Sequence, residues 1–174
     1  MAKRDYINFH DRTQPLGYLI TFRCYGTWLH GEERGSVNRR HYNRYGTPDM
    51  PQNRKILKDE KISLKHPKFF LNRRQRALVT TAIREVCDHR RYKLYAVNAR
   101  TNHVHSVVGA GYKPEKLMNS FKSYATRKLR EAKLISDDVK PWARHGSTPY
   151  LWTDEELCRA IDYVINGQDN EPFR

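Results

Sequence analysis

Residues 92–110, YKLYAVNARTNHVHSVVGA, hold two strand-like runs on either side of the turn RTN, so 92–109 reads as a β-hairpin. Helical patterning brackets it on both sides. Upstream, Val79, Ile83 and Val86 recur at helical spacing behind Asn72 and Gln75, a pair spaced as a capping box, and this helix should run to about His89. Downstream, Pro114 suits the first turn of a second helix whose buried stripe is Leu117, Phe121, Tyr124 and Ala125. The exposed side of that helix is expected to carry Lys116, Lys122, Arg127 and Arg130. An earlier strand lies in GYLITFRCYGTWL, residues 17–29, where Tyr18, Ile20 and Phe22 alternate with Leu19 and Thr21. An irregular stretch containing PWARHGSTPYLW, with a short strand expected near Tyr150–Trp152, precedes a last helix, DEELCRAIDYVIN. Thr153 and Glu156 open that helix as another capping box.

Strand, helix, strand, strand, helix, strand is the ferredoxin-like plan of an α+β protein: an antiparallel sheet with two helices on one face. Val104, Ser106 and Val108 should then face those helices, and His103 and His105 the opposite side, because side chains alternate along a strand. At 174 residues the chain is read as one domain, 1–174. Residues 30–70 lose the apolar pattern and form a basic insertion, either a solvated surface segment or a loop that contacts substrate.

Lysine and arginine number 33 against 19 acidic residues, a net charge of +14, with pI near 9.9. Nucleic acid is the commonest polyanionic partner for such a charge, although ribosomal and membrane-surface proteins share it. Cys24, Cys87 and Cys158 form no C-x-x-C pair, which points to reduced thiols and away from a zinc-finger framework. No apolar run approaches membrane-spanning length and no signal peptide is visible, so the expected location is the cytoplasm.

Two same-face imidazoles on one strand lie about 7 Å apart, close enough to share a divalent ion, provided that a third ligand comes from elsewhere. The alternative is a polar pair on an exposed sheet face. On the last helix Leu157, Ala160, Ile161 and Val164 make the buried stripe, and Tyr163 lies about 110° from its centre. From that flank its hydroxyl could reach whatever the histidines hold, with Arg159 on the same side of the helix; otherwise it is an amphipathic surface tyrosine. Tyr124 is a rival nucleophile, but it shares the buried stripe of its helix. Trp142, Tyr150 and Trp152 are candidates for stacking on unpaired bases or for the lid of a small core. Arg144 and His145 are candidate phosphate contacts, with a solvated loop as the alternative.

NHVHSVV, WARHGSTPYLW, AIDYVINGQ and the opening YLITFRCYGTWL together resemble the HUH single-tyrosine transposases of insertion sequences, including the REP-associated tyrosine transposases. The resemblance runs in consistent order over roughly residues 15–170. It implies metal-dependent cleavage and strand transfer of single-stranded DNA beside a hairpin or inverted repeat. Tyr163 would form a 5′-phosphotyrosine link, His103 and His105 would bind Mg²⁺ or Mn²⁺, and a homodimer is common. The family places an Asn or Gln four residues after the tyrosine to complete the metal site. Here that position is Gly167, so the third ligand falls to Gln168 or, alternatively, Asn166. A DNA-contacting set of Lys116, Lys122, Arg127, Arg130, Arg144, His145, Trp142 and Trp152 accompanies this reading. The competing one is a domesticated, non-catalytic module of the same fold that binds single-stranded DNA or RNA.

Overall fold

The structure is a computed structural model and describes residues 14–33 and 51–167. In chain order the elements are β1 (Gly17–Cys24), α1 (Arg54–Ile62), α2 (Arg73–Arg90), β2 (Lys93–Ala99), β3 (His103–Gly109), α3 (Pro114–Glu131), β4 (Trp142–Ser147), β5 (Tyr150–Leu151) and α4 (Asp154–Asn166). The sheet runs β2-β3-β1-β4, with β5 also on β1, and every pairing is antiparallel. Each of α2 and α3 therefore crosses over one intervening strand, which is the ferredoxin-like arrangement expected.

Local chemistry sets the helix ends. Asn72 and Gln75 bond reciprocally at the start of α2, Arg91 ends it in a left-handed conformation (φ 56°), Pro114 opens α3, and Thr153 with Glu156 caps α4. Alternation then sorts the side chains. Tyr18, Ile20 and Phe22 of β1 and Val104 and Val108 of β3 pack with Val79, Ile83 and Val86 of α2 and Leu117, Phe121 and Ala125 of α3. On the other face Leu19, Ala96, Val107 and Leu151 meet Ala160 and Val164 of α4. No described helix is long and apolar enough to cross a membrane.

The structure also refines and corrects the sequence reading. Within the 17–29 run, β1 takes Gly17–Cys24 and ends where Gly26 (φ 70°) turns the chain. The supposedly irregular PWARHGS is edge strand β4, but with a break: Cys24 faces Trp142 and Phe22 faces Gly146, so Ala143, Arg144 and His145 bulge opposite Arg23 alone. Within the 30–70 segment, α1 forms behind the Asn53 cap, whose side chain accepts from the Lys55 and Ile56 amides. It buries no residue, so its sequence carries no core-facing stripe to announce it.

Lys122 does not lie on the exposed side of α3. It is buried, and its ammonium donates to the carbonyls of Ala143 (2.9 Å), Arg144 (3.3 Å) and His145 (3.2 Å), gathering the bulge of β4 onto the helix. Arg130, on the same helix, is half-buried and donates to the carbonyls of Asp137 and Val139.

Candidate functional site

β3 is paired on both sides, and the register decides the neighbours of the histidines. His103 lies opposite Arg23 of β1, while His105 lies between Thr21 of β1 and Asn98 of β2. Both histidines face away from α2 and α3, as alternation requires. They are not on an open surface, however: His103 is buried and His105 half-buried, because α4 packs across this side of the sheet. Their ring centroids are 4.5 Å apart, edge to face.

Each ring is held at Nδ1. His103 Nδ1 is 2.6 Å from the Asn102 Oδ1, and His105 Nδ1 is 2.7 Å from the Thr21 hydroxyl. A carbonyl oxygen can only accept, so the proton of neutral His103 belongs on Nδ1 and the lone pair on Nε2. The Thr21 hydroxyl can accept in the same way from His105. An imidazole anchored through one nitrogen, with the other basic, is how histidine is oriented in metal sites. Burial, reinforced by the charges of His103, Arg23 and Arg100, pushes the His105 pKa down to about 3, so the ring is neutral at physiological pH. Neutral imidazole is the ligating form.

Tyr163 comes from α4. Its ring centroid is 5.2 Å from that of His105, at 72°, so the tyrosine on the flank of the apolar stripe does reach the histidine pair. Asn98 Nδ2 donates to the Val164 carbonyl (2.9 Å), and the Arg100 guanidinium donates to the Gly167 carbonyl (3.0 Å). The chain leaves the helix at Gly167, whose amide bonds the Tyr163 carbonyl at 2.8 Å. A Cβ at 167 would collide with that same carbonyl oxygen, which explains glycine there.

Of the two candidates for the third ligand, Asn166 donates its amide to Asp162 (2.8 Å) on the exposed side of α4, and Gln168 lies outside the described residues. Among the described residues no three His, Cys, Asp or Glu side chains converge on a common point. Arg159, one turn before Tyr163, is exposed.

The sheet separates the candidates on α3 from this centre. α3 packs on the opposite face, and with it go Lys116, Arg127, Arg130 and Tyr124. Lys116 lies over the Tyr112 ring at 4.6 Å, and Arg127 lies over Tyr124 at 4.5 Å while pairing with Glu131 at 3.6 Å. Trp142 belongs to the packing: it meets Phe22 edge-on, and its indole donates to the Lys122 carbonyl and the Thr126 hydroxyl. Trp152 stacks on Tyr150, which is 45 % exposed, while Arg144 and His145 are exposed on β4.

Thr21, Arg23, Asn98, Arg100 and Asn102 escaped the sequence reading. Asn102 was the accessible one, since it directly precedes His103. The others become neighbours of the site only through strand register.

The sequence model of one protein family, described as "Transposase IS200 like", matches residues 62–155, more than half of the chain. That span includes His103 and His105 and stops in the first turn of α4, before Tyr163. A search of curated proteins found no match. The fold and the family match agree, and the chain belongs to the IS200-like transposase family, whose partner is DNA.

Proposed function

We propose that this protein cleaves and rejoins single-stranded DNA, with Tyr163 as the nucleophile and His103 and His105 as ligands of a divalent ion. The reading is carried by one observation: the Tyr163 ring lies against His105, one of two adjacent histidines whose rings are both hydrogen-bonded at Nδ1.

The Tyr163 hydroxyl gives up its proton as its oxygen attacks the scissile phosphorus, forming a 5′-phosphotyrosine bond as the bond to the 3′ oxygen breaks, and the departing 3′ oxygen takes up one proton in exchange. Attack by a 3′ hydroxyl on the phosphotyrosine reverses the step and rejoins a strand, so no external energy source is required. His103 and His105 would hold Mg²⁺ or Mn²⁺, which would supply Lewis-acid stabilisation of the charge that grows on the phosphate oxygens. Free tyrosine titrates near pH 10, so the nucleophile also needs a nearby cation. Arg23 and Arg100 are the cationic side chains whose charge reaches His105, and they fit that role. Gln168 is favoured as the third ligand, because Asn166 is engaged by Asp162.

α3 lies on the far side of the sheet, so Lys116 and Arg127 would contact a DNA segment other than the one being cut. Hairpin or inverted-repeat DNA, with a paired stem beside a single strand, suits two such surfaces.

Wild-type protein incubated with Mg²⁺ and a single strand from the DNA flanking its own gene should give a covalent adduct that survives denaturing electrophoresis. Tyr163→Phe should abolish the adduct, and Tyr124→Phe should retain it. An adduct that persists in Tyr163→Phe refutes the nucleophile assignment. Wild type that binds this DNA without forming an adduct leaves the non-catalytic module as the function.

A further inference from the structure

We propose that Asn98 and Arg100 are positioning residues: together they latch the C-terminal end of α4 and so hold the Tyr163 ring against His105. Its catalytic consequence rests on the reading of Tyr163 as nucleophile.

The last turn of any helix leaves carbonyls without intrahelical donors and carries partial negative charge. A helix commonly answers this with its own basic residues. α4 does not: it has Asp154, Glu155 and Glu156 in its first turn and no basic residue in its last. The donors come instead from β2 and the residue that follows it. Asn98 and Arg100, two positions apart on one face of the chain, bond the carbonyls of Val164 and Gly167. The amide of Gly167 takes the carbonyl of Tyr163.

This placement is specific to the site. Asn98 is the direct cross-strand partner of His105, and it grips the backbone of the residue that follows Tyr163. One side chain thus links the strand next to the histidines to the backbone that carries the tyrosine. Packing defines the seat of α4 less tightly than that of α2 or α3, because only Ala160 and Val164 of this helix are buried, with Leu157, Ile161 and Tyr163 half-buried against the same cluster. Those residues choose the face that docks. They resist axial sliding poorly, whereas hydrogen bonds at one end prevent it. The required tolerance is small, since a misplacement of about 1 Å between reacting groups can cost about 10²-fold in rate.

The test uses the full chain. Asn98→Ala removes the donor, and Asn98→Asp removes it while keeping the shape. Arg100→Ala is the second site should the Asn98 variants fail to fold, read by exchange and ring shifts alone because its charge is also assigned to the nucleophile. Without DNA or metal, amide exchange over residues 160–167 should quicken by about five- to tenfold. The His105 ring-proton shifts, displaced in the wild type by the Tyr163 ring, should move toward those of Tyr163→Leu. With DNA, Asn98→Ala should slow single-turnover adduct formation by about 10²-fold while leaving the dissociation constant for the strand unchanged. Unchanged exchange and unchanged His105 shifts would overturn the latch. Loosened exchange with an unaltered adduct rate would overturn its positioning role. Wild type that makes no adduct would defeat the nucleophile reading instead, and the exchange and shift measurements would still decide the latch.

Discussion

The two faces of the sheet use the same strands to opposite ends. Toward α2 and α3, β1 and β3 present Tyr18, Ile20, Phe22, Val104 and Val108, which join a core of nineteen buried described residues closed by two 18-residue helices. Toward α4 the same strands present Leu19, Thr21, Arg23, His103, His105 and Val107, and only six described residues are buried in the cluster there. The first face is a folding core. The second keeps just enough apolar contact to seat one helix and uses its remaining positions for polar groups, each of which needs a partner when covered. On the proposed function, stability and chemistry are divided between opposite sides of a single sheet, and the α4 face, with the smaller apolar cluster, is the one expected to open locally.

Four results would break or sharpen this contrast. The largest effect expected is loss of ion binding: His103→Ala combined with His105→Ala should remove all Mn²⁺ binding detected by calorimetry while the far-ultraviolet circular dichroism persists. If the wild type binds no Mn²⁺, the α4 face is not a metal site. Next, Phe121→Ala should cost about 3–5 kcal/mol in denaturant unfolding, because it empties the centre of the larger core. Val164→Ala should cost about 2 kcal/mol, with faster exchange appearing in α4 but not in α2. Equal costs would mean that the two faces support the fold equally. The smallest effect concerns DNA. Lys116→Ala with Arg127→Ala should reduce the slope of log affinity against log salt by up to about 1.8 for two contacts to a paired stem. The adduct yield at saturating DNA should not change. An unchanged slope would confine DNA to the α4 face.

Elements with a repeating apolar pattern or a capping pair could be read directly. α2, the hairpin of β2 and β3, α3 and α4 lie where periodicity and the Asn72–Gln75 and Thr153–Glu156 pairs put them, within a residue or two. α1 was missed because it buries nothing, and β4 because its bulge breaks alternation over Ala143, Arg144 and His145. Lys122 misled for a related reason. Its position in the helical repeat looked exposed, yet its long stem carries the ammonium to three carbonyls that only the packed β4 provides.

The sequence by itself determined the α+β plan, the shared face of His103 and His105 and the off-stripe position of Tyr163, because each follows from the period of a single helix or strand. Tertiary structure alone decided that Tyr163 meets His105, that Thr21 and Asn102 anchor the two rings, and that Asn98 and Arg100 hold the end of α4. Periodicity gives the direction in which a side chain leaves its own element. Which residue it meets depends on strand register and helix docking, and those are settled by the packing of the whole chain.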